Sequence, residues 1–164
     1  MAETPPKMSL GNVATGEAIE AQYNPRDVKM AVEAFYNRVR GPGQVGEEMQ
    51  FGGTGNIKTS FELTFNGLVE RGPELLDVEA YLFSLLHPKR RVGGVNSGAP
   101  PLIVFSWPGW IMLVTRMPKL EQTTTIFARN GKPAYQIYRV ELETQYTRRI
   151  GQEDIRRAAF RRSE

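Results

Sequence analysis

Polar and apolar residues alternate with a period of two along much of this chain, most clearly in NIKTSFELTFNG. Ile57, Phe61, Leu63 and Phe65 share one parity there, and Lys58, Ser60, Glu62 and Thr64 hold the other. Successive side chains of a strand point to opposite faces, so the run predicts a half-buried strand that ends at Asn66-Gly67. AIEAQYNP alternates in the same way, Ile19, Ala21 and Tyr23 against Glu20 and Gln22, and stops at Asn24-Pro25. PLIVFSW and WIMLVTRM read as two short strands joined at Pro108-Gly109. LEQTTTIFA and AYQIYRVELETQY then form a hairpin about RNGKP, where Asn130-Gly131 supplies the positive φ angles of a tight turn.

One segment breaks the alternation. In GPELLDVEAYLFSLLHP, Leu75, Val78, Leu82, Leu85 and Leu86 recur at helical spacing and predict a helix with one apolar stripe. Pro73 suits its first turn, Glu74 and Asp77 complement the positive end of its dipole, and Pro88 stops it. VKMAVEAFYNRV fits both periods: Val28, Met30, Val32 and Ala34 alternate, while Val28, Val32, Phe35 and Val39 would line a helix. Residues 41–55 and KRRVGGVNSGAP read as loops, and residues 1–16, with few large apolar side chains, as a mobile arm. Strands, one helix and more strands predict a mainly β fold, an antiparallel barrel or sandwich with one packed α-helix.

The 164 residues suit one domain, and a chain of this size buries roughly 70% of its unfolded surface without a metal or disulfide. There is no cysteine, so thiolate nucleophiles, disulfides and Cys-ligated zinc are excluded. MAETPPKMSL has no cationic segment leading into an apolar one, and PPLIVFSWPGWIMLV is cut by Pro108 and Gly109. The expectation is a protein made in the cytoplasm that stays soluble and contacts no membrane. The net charge of +3 lies in TRRIGQEDIRRAAFRRSE, where Arg148, Arg149, Arg156, Arg157, Arg161 and Arg162 face Glu153, Asp154 and Glu164. The remaining body is close to neutral, which argues against a broad phosphate-binding face.

Candidate chemistry is sparse. GPGQVG has the spacing of a dinucleotide loop, but Pro42 removes a donor and Glu47 and Glu48 follow where a helix should open, so it reads as a flexible loop. His87 is the only histidine, and its place before Pro88 fits a cation at a helix C-terminus better than a general base. Glu141 and Glu143 share one parity and could form a glycosidase pair, but charges at alternate strand positions read better as a solvated face or an inter-subunit contact. Trp107, Trp110, Tyr135 and Tyr138 could stack bases as in OB folds, without the basic groove that should accompany them. No cofactor, metal or enzymatic activity is expected.

AQYNP, QFGGTG, SFELTFNG, the Asp77-Val78 helix, APPLIVFSWPGW and TIFARNGKPAYQIYRVEL occur in that order across residues 18–147. In this set the chain resembles the tube-like inner-baseplate proteins (tube initiators or hub adaptors) of contractile phage tails and extracellular injection particles. The resemblance implies a tail-tube fold assembled as a six-fold ring whose strands line a channel, and it reads VKMAVEAFYNRV as a strand. It implies as partners the chain itself in a homohexamer, a spike or hub protein, the tube protein and baseplate wedge proteins. It implies no specific nucleic-acid binding, although DNA would pass through the channel in a phage. The place implied is the tail baseplate or injection particle, assembled in the bacterial cytoplasm. Larger members continue into a LysM module, for which RRIGQEDIRRAAFRRSE is too short.

Three segments are therefore expected: a flexible arm over 1–17, a tube-like β domain over 18–147 and an arginine-rich tail over 148–164. The last strand is the candidate inter-subunit edge, carried by Tyr135, Ile137, Arg139, Val140, Glu141 and Glu143. Such an edge is a liability unless a neighbour pairs with it, and a closed ring removes every free edge. Proline at Ile137 or Val140 is then expected to block assembly. In the tail, Arg156, Arg157, Arg161 and Arg162 are candidate partner contacts, since arginine pairs bidentately with carboxylates. Two functions of different class follow: a structural ring joining spike to tube (or the tube subunit itself), and an OB-like protein binding single-stranded nucleic acid.

Overall fold

The alternating runs become strands in the computed structural model, which describes residues 5–88 and 98–145. In chain order these are β1 (Ser9–Asn12), β2 (Ala18–Glu20), β3 (Val28–Ala31), β4 (Ala34–Val39), β5 (Glu48–Thr54) and β6 (Lys58–Asn66). The helix α1 (Leu75–Ser84) comes next, followed by β7 (Ile103–Trp107), β8 (Ile111–Phe127) and β9 (Pro133–Thr144). Seven strands form one antiparallel sheet in the order β2-β1-β7-β8-β9-β6-β3, and β4 and β5 form a separate pair.

β8 turns this sheet into two layers. Residues 111–115 pair with β7, and β9 takes over from Thr115 to Phe127. The register jumps between Arg116 and Lys119, at Pro118, which has no N–H to give to a ladder. Before the jump Thr115 and Met117 face inward; beyond it the half-buried residues are Leu120, Gln122 and Thr124. The expected separate strands WIMLVTRM and LEQTTTIFA are thus one bent strand. The bend brings β6 over β7, and Phe61 stacks on Phe105 with ring centroids 5.3 Å apart and planes 20° apart. The result is sandwich-like, not a barrel closed within one chain.

Leu10, Leu63, Phe65, Ile103, Tyr138, Val140 and Leu142 are among the residues that fill the rest of the buried core. The predicted stripe of α1 closes it: Leu75, Val78 and Leu82 are buried, as is Leu85 just beyond the helix. The helix starts two residues after Pro73, with Glu74 as its cap residue, so Pro73 precedes the first turn. The hairpin at Asn130-Gly131 also forms, with a positive φ only at Gly131 and not at both positions.

Two loops of the sequence reading are replaced by strands. The expected mobile arm becomes β1 within the described residues, because Leu10 fills the core and the strand hydrogen-bonds β7 and β2. The expected loop over 41–55 contains β5, which pairs with β4. VKMAVEAFYNRV is β3 and β4 in succession, in keeping with the strand reading.

A pH prediction follows from the core. The Tyr138 hydroxyl donates to Gln136 Oε1 at 2.7 Å and accepts from Gln122 Nε2 at 3.3 Å. Burial, helped by the nearby Glu79 charge, pushes the phenol well above its usual range. Tyr81 is raised too, chiefly by burial. The unfolded chain loses these protons near pH ~10 while the folded chain keeps them, so this stability is complete below pH ~10 and lost as pH rises further. Tyr138→Phe should lower baseline stability by about 1 kcal/mol and make the alkaline decline shallower. Chemical denaturation between pH 8 and 11 checks it; identical slopes for parent and variant would contradict the assignment.

Candidate assembly surfaces

The alternation of β9 divides its candidate residues between two environments. Val140 points inward with no exposed surface and belongs to the core. Tyr135, Ile137, Arg139, Glu141 and Glu143 hold the opposite parity, on the outer face of the layer β8-β9-β6-β3. The strand is not an edge. β6 pairs with it from Glu143 to Tyr135 and β8 from Thr144 to Pro133, so both ladders are satisfied within the chain. The expectation of a free edge on β9 is therefore corrected: a strand some 80 residues away in sequence takes the flank that a neighbouring copy was expected to fill.

Free flanks lie elsewhere. Among the described residues, β8 has β9 on one side only beyond Thr115, and β3 pairs with β6 alone. The four strands β8, β9, β6 and β3 are successively antiparallel.

Charges on the outer face fall into cross-strand rows. One runs Ala31–Lys58–Glu143–Arg116, the next Lys29–Ser60–Glu141–Lys119, and the third Glu62–Arg139–Glu121. Opposite charges thus meet both across and along the strands. Arg139 bonds Glu62 at 3.0 Å and approaches Glu121 at 3.7 Å, and Lys119 reaches Glu121 at 2.9 Å. Lys119 holds the Glu121 carboxyl below the usual carboxylate range, and in return Glu121 raises Lys119. Glu62, then Glu121, raise Arg139. All three titrating groups are solvent-exposed, so these pairs organise the face more than they stabilise it. Lys29, Lys58, Ser60, Pro118, Glu141 and Glu143 line a shallow hollow on this face. Glu141 and Glu143 sit among cations, with Asn56 donating to Glu143 at 3.0 Å, which favours a solvated, paired face over an acid–base couple.

The surface missed in the sequence is the β4–β5 hairpin. It continues the β3–β6 ribbon past the end of β9, where Ile57 and Thr144 exchange hydrogen bonds of 2.9 Å, and Gly55 N–H still reaches Glu33 O at 2.7 Å. Every residue of β4 is exposed, and β5 is nearly so. Phe35, Tyr36, Met49 and Phe51 are 48–64% exposed although Tyr36 and Phe51 touch edge to face at 5.7 Å. A lone two-stranded hairpin is marginal in water, and a cluster of exposed aromatics marks a contact surface. GPGQVG is the turn at its tip, with Gly43 and Gly46 at φ of 78° and 110°. The legible signal was AFYNRV and EMQFGGT, two aromatic-bearing runs flanking a Gly/Pro turn.

The model of the contractile injection system tube protein family matches residues 6–153. The chain belongs to that family. Similar solved structures include a chain in the virion of a native gene transfer agent particle, at 12% identity and a TM-score of 0.43, covering 85% of this chain and 92% of that one. A chain in the C6-symmetric tail of an empty gene transfer agent particle gives 14% and 0.46, covering 87% and 92%. One in the baseplate of the anti-feeding prophage gives 12% and 0.45, covering 90% and 94%. No curated protein matches this chain.

Of the remaining candidates in this tube-family chain, His87 is exposed beyond α1, its Nδ1 2.8 Å from Phe83 O, consistent with a helix-terminal role. Trp107 and Trp110 pack edge to face at 5.4 Å, and Tyr138 is fully buried and so cannot stack on a base. Arg156, Arg157, Arg161 and Arg162 lie outside the described residues.

Proposed function

We propose that the chain is a non-enzymatic ring component of the baseplate hub of a contractile tail or injection particle, joining the central spike to the tube. The observation that carries the ring is the parity of the outer layer. Four antiparallel strands leave β8 and β3 as flanks running in opposite directions. A rotated copy therefore presents β8 antiparallel to β3, and repetition closes a continuous antiparallel barrel without a free edge. The hollowed, charge-paired face is then the channel wall, polar because water fills the channel. The exposed hairpin, lying outside this layer, contacts an adjacent copy or ring. Six copies are expected from the resemblance. Spike, tube and wedge proteins are the expected neighbours, and the arginine-rich tail is a further anchor to one of them.

The family's description as a tube protein favours a second reading within the same class, the tube subunit itself. Native mass and negative-stain images of the purified chain separate the two. Isolated rings, extended only after tube protein is added, are expected for the hub role, and spontaneous stacking into tubes would identify the subunit. A chain that stays monomeric at all concentrations and binds oligonucleotides with a steep salt slope would overturn both in favour of the OB-like reading.

A further inference from the structure

The free flanks of the outer layer carry charges that do not match in every register. Lys29 is the outward residue of β3 with a charge, and it has no ion-pair partner among the described residues. Asp27, just before β3 and of the same parity as Lys29, lines a hollow together with Arg26, Glu62 and Thr64. The matching flank of β8 presents Arg116, then Lys119, Glu121 and Thr123 beyond the bulge.

A slip of one residue would turn side chains to the opposite face, so only even slips keep the outer faces of β3 and a second copy's β8 together, and three such alignments lie nearest the cross-strand rows. In line, following the cross-strand rows, Lys29 meets Lys119 and Asp27 meets Glu121. Both contacts join like charges, which is unfavourable for directly opposed strand residues. A two-residue slip one way sets Lys29 against Arg116 and Asp27 against Lys119, one repulsive contact and one attractive. The slip the other way sets Lys29 against Glu121, Asp27 against Thr123 and Ala31 against Lys119. It has one attraction and no repulsion. A stagger is also what closing a sheet into a barrel requires.

We propose that the seam between copies joins β3 to the free flank of β8 with this two-residue stagger, so that Lys29 faces Glu121 of the next copy. The proposal rests on the ring reading and adds its register. At the seam Glu121 then receives a third cation beside Lys119 and Arg139, and the row pattern of alternating charge passes from one copy into the next. The charge arrangement fixes the register, and the ladder hydrogen bonds supply the adhesion.

Cysteine pairs test the register directly, because the chain has no cysteine of its own. Directly opposed residues of an antiparallel pair have Cα atoms about 4.5–5.5 Å apart, within disulfide reach, whereas a displacement of two residues carries them beyond about 7 Å. Lys29→Cys with Glu121→Cys should give, on oxidation, a ladder of covalent multimers ending at the ring size. Lys29→Cys with Lys119→Cys, and Lys29→Cys with Arg116→Cys, should give none. A second variant, Lys29→Glu, should raise the concentration for half-assembly about tenfold in low salt, with an unchanged melting temperature. A ladder from Lys119 or Arg116 instead of Glu121 overturns the register. Rings in the parent with no ladder from any pair overturn the seam while leaving the ring reading intact. A parent that forms no rings removes the ring reading and the seam with it.

Discussion

Val140→Pro is expected to unfold the domain, not to leave a folded chain that fails to assemble. Val140 lies between Phe61 of β6 and Leu120 of β8, with its side chain fully buried. Proline there deletes the N–H and distorts a strand held on both sides, a position from which proline is excluded in sheets. The loss of buried volume adds to it, for a combined cost on the order of 4 kcal/mol or more, a large part of the roughly 5–15 kcal/mol typical of a domain. Ile137→Pro, between Thr64 and Thr123, breaks the same ladders and should be nearly as severe. Far-ultraviolet circular dichroism and thermal melting of the purified variants measure this. A Val140→Pro protein that melts cooperatively near the parent temperature would mean that β9 is not held between two strands.

The opposite outcome is expected at the hairpin. Phe35→Ser combined with Phe51→Ser should leave the melting temperature nearly unchanged, because neither ring contributes to the core. Assembly should fail. The two rings offer enough exposed apolar area for about 3 kcal/mol per contact when covered by a neighbour, or roughly a hundredfold in association. Sedimentation velocity across a concentration series, run beside thermal melts, reads both effects in one preparation. If the double variant assembles as the parent does, the hairpin is not an assembly contact. If it also melts far lower, the hairpin is packed against its own chain.

The contrast between these two sites explains how much the sequence could yield. The parity of β6, the stripe of α1 and the turn at Asn130-Gly131 were all legible, because each depends on neighbours within a few residues. Strand faces were legible for the same reason: Tyr135, Ile137, Arg139, Glu141 and Glu143 share a side by spacing alone. The mainly β class and the packed helix α1 follow from that local information. Family membership was legible too, from the order of several short segments.

What the tertiary structure decided was which strands are neighbours. Nothing local in AYQIYRVELETQY says that Lys58 will sit opposite Glu143, and that pairing turns an expected edge into the middle of a sheet. SLGN has one large apolar residue and looks unable to hold itself, yet β7 offers it a ladder and the core a place for Leu10. Pro118 looks like a strand terminator, but a bulge accommodates it and bends β8 from one layer into the other. Conversely, AFYNRV and EMQFGGT carry aromatics that would suit a core, and the fold leaves them outside because β9 ends at Thr144 before reaching them. Side-chain period is a property of a single strand and is written in the sequence; sheet order depends on contacts between distant segments, and only the packed chain fixes it.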